Sequence, residues 1–281
     1  MLGQFGQISF VVWRESVEAL LIIGILNAWL TQQGGDVAKR GQFFLGMGAI
    51  AGCLVAIFFA YIILTFSQAL SEETFEYFQI GMVFIAAILI LQMVVWLRRH
   101  GRGLKKNLEK HASRLAEQAQ WGGIFLLTML AIVREGSETV IFLYGIIASH
   151  SVINVWGLIT AIVIGFACAL FTYYLIQLGQ RYISWKTFFR MTELMLLFLG
   201  ASLLINGIDH LFSLGIIEDG GPILWNSSAI IDDTSVVGNL LAGLTGYRAR
   251  PDIVWLISYG CYWLFVMVLL RVTNRSQQPN L

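Results

Sequence analysis

Apolar residues run almost unbroken through seven stretches of the chain, approximately 8–30, 43–66, 75–97, 122–148, 152–178, 187–206 and 253–272. A helix rising 1.5 Å per residue needs about 20 residues to cross roughly 30 Å of hydrocarbon, and each stretch has that length. The pattern predicts an all-α polytopic membrane protein with seven transmembrane helices, because a helix satisfies its backbone hydrogen bonds within itself. Composition agrees: 57% of residues are hydrophobic, 12% are charged and only three are proline, with a mean hydropathy of +0.74, unlike a soluble domain. Residues 1–7 carry no positive charge, and Arg14 and Glu15 interrupt the apolar run that follows. The first helix is therefore expected to stay in the mature chain rather than to be cleaved as a signal peptide.

Basic residues fall between alternate stretches. Lys39 and Arg40 follow the first helix, and Arg98, Arg99, Arg102, Lys105, Lys106, Lys110 and Arg114 follow the third. Arg181, Lys186 and Arg190 follow the fifth, and Arg271 and Arg275 the seventh. The opposite segments hold Glu72, Glu73 and Glu76, then Asp209, Glu218, Asp219, Asp232, Asp233 and Asp252, with Arg248 and Arg250. The bias places the amino terminus outside and the carboxyl terminus in the cytoplasm.

Two stretches break the apolar pattern from within. Trp13-Arg14-Glu15-Ser16-Val17-Glu18 and Val133-Arg134-Glu135-Gly136-Ser137-Glu138 each put one arginine and two glutamates inside a membrane-length run. Each charge costs about 2.5–3.5 kcal/mol near the bilayer centre, so six cost about 15–20 kcal/mol if uncompensated. They must be paired, hydrated or bound to something. Shifting the chain by 120 residues superposes Arg14, Glu15 and Glu18 on Arg134, Glu135 and Glu138, which makes helices one and four equivalent. Each starts a unit of three helices, and an odd number turns the second unit upside down, the inverted repeat of many secondary transporters with a site near the midplane. Within one membrane domain, 1–281, the predicted parts are repeat one at about 7–98, a basic cytoplasmic loop 99–120, repeat two at about 121–206, an outer amphipathic segment 207–252 and a last helix 253–273.

At about 100° per residue, the three charges of each motif share an arc of roughly 100°. An intrahelical ion pair that merely tolerates burial is an alternative account of one such motif, but it accounts poorly for two symmetry-related copies. Four glutamates against two arginines leave a charge of minus two, which a cation would neutralise while arginine keeps a carboxylate ionised. Carboxylates with nearby Ser16, Ser137 and Thr139 make a hard oxygen site, with no cysteine, methionine or histidine within a turn. Cu(I) and, less strongly, zinc are disfavoured; iron, manganese, magnesium and calcium stay open.

Paired R-E-x-x-E motifs in the first and fourth of seven helices resemble the oxidase-dependent iron permeases, the family of fungal high-affinity iron permeases and bacterial elemental-iron uptake permeases. Leu224-Trp225-Asn226, residues 240–243, Gly246-Tyr247 and Pro251 resemble the segment before the last helix in bacterial members. The resemblance implies a cell-membrane permease importing iron, with iron as substrate and no organic cofactor. It implies iron ligation by Glu15, Glu18, Glu135 and Glu138, supported by Arg14 and Arg134. It also implies an extracytoplasmic ferroxidase or iron-delivery protein as partner, although the acidic extracellular motif of fungal permeases has no recognisable counterpart. Membrane lipid and a homo-oligomer are further candidate partners, and nucleic acid is not one. A proton-coupled transporter or antiporter of another divalent cation such as manganese is the alternative, and a non-transporting membrane scaffold is a third reading. No catalytic nucleophile or nucleotide-binding motif occurs, so no enzyme activity is expected.

Other polar residues have plainer explanations alongside a functional one. Glu73 and Glu76, with Ser71 and Glu72, either collect cations at an outer mouth or complement a helix start. Glu193 either relays ions inward, pairs with Arg190 or reaches the interface. Asp232 and Asp233 read as solvated loop charge or as metal recruiters. Cys53, Cys168 and Cys261 read as small packing residues. His100, His111, His150 and His210 fall in loops or at helix ends and form no ligand pattern. Leu104, Leu108 and Leu115 give the basic loop helical spacing, and Asn226-Ser227-Ser228 matches a glycosylation pattern that counts only in a eukaryotic secretory pathway.

Overall fold

The computed structural model describes residues 2–100, 121–149, 154–178, 185–217, 221–233 and 235–275. The expectations for Arg102, Lys105, Lys106, Lys110, His111, Arg114, His150, Arg181, Glu218 and Asp219, and for the leucines of the basic loop, fall outside the described residues. Among the described residues there are eight helices: α1 Leu2–Gln33, α2 Gly35–Gln68, α3 Glu72–His100, α4 Trp121–Ala148, α5 Val155–Leu178, α6 Trp185–Ser213, α7 Val236–Thr245 and α8 Ile253–Arg275. A lone antiparallel bridge joins Ile223 to Asp252. The seven long helices fall on the seven apolar stretches. Five of them, α2, α3, α5, α6 and α8, are long and apolar enough to cross a membrane. The other two are α1 and α4, whose apolar runs hold the charged motifs.

Burial separates inner from outer helices. Of the most apolar windows, 50% of α3 and 61% of α6 are buried, against 11% of α2 and 17% each of α5 and α8. The core is built from Ile8 and Val11 of α1, Val83, Ala86 and Ile90 of α3, Phe142 and Ile146 of α4, and Leu196, Leu199 and Leu203 of α6. The outer helices are apolar on both sides: α2 exposes Phe43, Ile50, Phe58 and Tyr61, and α5 exposes Trp156, Val163 and Phe171. Surface of this kind is stable against lipid and not against water. The three cysteines lie on these faces. Cys53, Cys168 and Cys261 are exposed, which corrects their reading as packing residues: a small apolar side chain is as acceptable facing outward from such a helix as inside it.

Helices without a hydrophobic drive between them associate by close backbone packing at small residues. Gly48, Gly52 and Ala56 recur every four residues on the buried face of α2, against α4. A Cβ on Gly48 would stand 2.5 Å from the Phe125 carbonyl oxygen, and one on Gly52 would stand 2.7 Å from Ile132 Cβ and 3.0 Å from the Met129 oxygen. Gly165 of α5 meets α1 in the same way, with the Ser9 oxygen 2.6 Å and Val12 Cβ 3.0 Å from a Cβ at that position. Ser9 and Val12 precede Met129 and Ile132 by 120 residues, the spacing that superposes the two charged motifs. The α1 to α5 contact is reinforced where Ser9 Oγ donates to the Ala161 oxygen at 3.1 Å and Trp13 Nε1 donates to Thr172 Oγ1 at 2.9 Å.

Two connections are notable. Gly34 and Gly35 turn α1 into α2 with φ of 69° and 57°, a left-handed pair that side-chain-bearing residues rarely adopt. The segment 207–252 begins as the last turns of α6 and contains α7, which packs on α1 and α6. Ser235 caps α7, accepting from the Gly238 amide at 3.0 Å. In the same first turn Asn239 Oδ1 accepts from the Gly3 amide at 2.6 Å, so α7 satisfies a backbone donor in the first turn of α1.

Candidate metal centre

Among the described residues Arg14 is the largest fully buried side chain, with 1% of its surface exposed. Its position follows from the α1 sequence, since the core face carrying Ile8 and Val11 continues through Arg14 and Glu15. Nη1 donates to Glu15 Oε1 at 2.5 Å, and Nη2 donates to Glu18 Oε1 one helical turn on. One guanidinium therefore holds both carboxylates of its own motif, which removes its charge as a buried liability.

The second motif is arranged differently. Arg134 Nε donates to Glu138 Oε1 at 3.1 Å, and its Cζ lies 3.8 Å from the centroid of the Trp96 ring on α3. Its side chain is 36% exposed. Among the described residues Arg134 makes no hydrogen bond to Glu135, which is buried. Sequence symmetry thus does not extend to the arginines.

One carboxylate oxygen from each of Glu15, Glu18 and Glu135 lies within 4.8 Å of the other two. Among the described residues, no other three His, Cys, Asp or Glu side chains converge in this way. Two oxygens on opposite sides of a cation with bonds of about 2.1–2.4 Å are separated by about 4.2–4.8 Å, so the three can share one ion. Glu138 stands outside the group. Glu15 Oε2, Glu135 Oε2 and Glu138 Oε2 are all buried with no hydrogen-bond partner. Buried acceptors left in this state require a counterpart, and bare carboxylate oxygens suit a hard cation.

The model of the iron permease FTR1 family matches residues 5–274. The chain belongs to this family of iron permeases. It is 31% identical over 280 residues to the ferrous iron permease EfeU of Shigella sonnei, covering 95% of each chain. It is 28% identical to EfeU of Yersinia pestis, over 95% of this chain and 93% of that one. EfeU of Escherichia coli O6:H1 is 26% identical over 88% of this chain and 90% of the relative. No solved structure matches. With its long apolar helices, the protein is a membrane transporter of iron.

The remaining predicted residues of the permease take separate places. Glu193 forms its close ion pair with Arg98 of α3, while the Arg190 considered for it adds a longer-range attraction. Arg98 lies 95 residues away in the chain, a pairing that local spacing cannot reveal. Glu73 and Glu76 are exposed at the start of α3, the opposite end from Arg98. Ser71 Oγ shares a hydrogen bond with Thr74 Oγ1 at 2.8 Å, and Glu72 and Glu73 occupy the first turn, where the helix dipole favours them. Ser137 and Thr139, expected near the metal, donate to the Arg134 and Glu135 carbonyls at 2.8 Å each, within their own helix.

Trp96 was legible only as one more apolar residue of its stretch. Gln4 and Gln7 carried a stronger signal, being polar at ten and seven residues before Arg14, on the same face of α1. Gln7 is fully buried and donates to the Gly243 carbonyl of α7.

Proposed function

We propose that the permease imports ferrous iron across the cell membrane through Glu15, Glu18 and Glu135, with Glu138 beside them as a fourth acceptor and Arg14 and Arg134 as their structural partners. The observation that carries this reading is the convergence of three carboxylate oxygens from two helices within 4.8 Å, in a protein of the iron permease family. Family membership selects iron among the hard cations that oxygen ligands leave open. Ferrous iron is favoured by the relatives, which are named for it.

In this reading all seven long helices span the membrane, as two inverted units of three plus α8, with the amino terminus outside and the carboxyl terminus in the cytoplasm. Gly52 and Gly165 pack against positions of α4 and α1 that are themselves 120 residues apart, the offset that relates the motifs, and this supports the repeat. Charge pairing supports it too: α1 and α4 can span because each arginine is paired within its own helix. Glu193, with Arg98, stands at the cytoplasmic end of the path, and Glu73 and Glu76 at the outer end of α3. Delivery by an extracytoplasmic ferroxidase or iron-binding protein, and assembly into homo-oligomers, complete the proposal.

Iron uptake into sealed vesicles tests it. Glu18→Gln and Glu135→Gln are each expected to abolish uptake of radioactive ferrous iron while the protein inserts normally. Native uptake by both variants would overturn the assignment.

A further inference from the structure

A second polar feature lies away from the carboxylates, where α7 meets the first turns of α1 and the last turns of α6. A cavity of about 230 Å³ is lined there by Gln4, Asn206, Asp233, Asn239, Tyr247 and Arg248, among others. Six waters of about 30 Å³ each occupy about 180 Å³, so a cation with its inner water shell fits the space.

The lining is not a chance collection of surface groups. Gln4 is 3% exposed, yet its amide nitrogen has no hydrogen-bond partner, and the same holds for the Asn206 amide nitrogen. Amide groups left this way in a cavity bind water or a ligand, and turning the amide presents its carbonyl oxygen instead. Charge favours a cation. Arg248 donates to Asp209 and lies 3.9 Å from Asp252, so its charge is already met by two carboxylates. Asp233 adds a third, accepting only from the Ala249 amide at 3.2 Å.

The cavity is also aligned with the metal cluster. At about 100° per residue Gln4, Gln7, Arg14, Glu15 and Glu18 fall within an arc of about 100° on α1, and about 16 Å of helix separates Gln4 from Glu15. Between them on this face stand Ile8 and Val11, both fully buried. Gln7, next to Ile8 in the chain, has its Oε1 buried and unpartnered.

We propose that this cavity is an outer holding site for a hydrated divalent cation, upstream of the carboxylate cluster and separated from it by Ile8 and Val11. The inference rests on the permease reading for its direction, with α7 on the outer side. Asp233 supplies the attracting charge, and the amides of Gln4 and Asn206 hold the water shell.

Two measurements test it. In vesicles, Asp233→Asn keeps an acceptor for the Ala249 amide, so it is expected to fold; its half-saturating ferrous iron concentration should rise at least threefold with a maximal rate within twofold of native. An unchanged half-saturation would overturn the holding site. Separately, a triple variant carrying Glu15→Gln, Glu18→Gln and Glu135→Gln should retain one bound Mn(II) per chain by electron paramagnetic resonance, and lose it on adding Asp233→Asn. No Mn(II) in the triple variant, or Mn(II) indifferent to Asp233→Asn, would also overturn it. Absence of iron uptake by the native protein would instead remove the permease reading, while the Mn(II) measurement would still decide the cavity.

Discussion

Arg134 sits over the Trp96 ring, its guanidinium carbon 3.8 Å from the ring centroid, although its counterpart Arg14 is enclosed between two carboxylates. Occupied by an aromatic face and by Glu138, Arg134 leaves Glu135 without its own arginine. Glu135, free of its own arginine, gathers with Glu15 and Glu18, whereas Glu138, held by Arg134, stands apart.

Replacing Trp96 with leucine removes an interaction worth about 0.5–2 kcal/mol and frees Arg134 to reach Glu135. The expected result is folded protein with weakened iron uptake, its half-saturation raised severalfold. Trp96→Phe, which keeps an aromatic face, should recover most of the affinity in the same vesicle assay.

The arginines should also differ in their importance for stability. Arg14→Met leaves Glu15 and Glu18 buried without a counter-charge, and breaking a buried pair costs about 3–5 kcal/mol. Thermal unfolding in detergent should show a large loss for Arg14→Met. Arg134→Met, at a site whose side chain is 36% exposed, should unfold close to native.

Glycine positions give a prediction on packing. Gly52→Val and Gly165→Val place a Cβ within 3.0 Å of α4 and α1 atoms. Overpacking of this kind costs about 1–3 kcal/mol. Both variants should melt earlier and transport less, and Gly46→Ala and Gly81→Ala, with nothing within 4 Å of an added Cβ, should do neither.

Metal itself should stabilise the fold. An ion that binds only the folded state adds about 2.7 kcal/mol at a hundred times its dissociation constant. Ferrous iron or Mn(II) under reducing conditions should raise the native unfolding temperature, and chelator should reverse the effect. Glu135→Gln should abolish that part of the rise assigned to the cluster.

Much of the architecture was written in hydropathy, and the site in its violation. Seven apolar stretches located seven long helices, and charges where lipid forbids them located Glu15, Glu18 and Glu135. The rest depended on partners distant in the chain. Nothing near Arg134 announces Trp96, and nothing near Glu193 announces Arg98, because a span that is apolar all round gives no periodicity from which to choose its neighbours. The cysteines failed for the same reason: Cys53, Cys168 and Cys261 sit on helices that are apolar on both their inner and outer faces. The segment before α8 was legible as a break in hydropathy, but its short helix α7 could be placed only by knowing that Asn239 reaches Gly3.

The tight turn at Gly34 and Gly35 has a mechanical consequence. With almost no slack between them, α1 and α2 behave as a stiff hairpin, while the glycine seam fastens α2 to α4. The helices that carry the two charged motifs are thus linked through a common strut. Any displacement that pulls Glu15 and Glu18 away from Glu135 must either slide that seam or flex the hairpin, so opening of the carboxylate cluster is bound to a movement some distance from it.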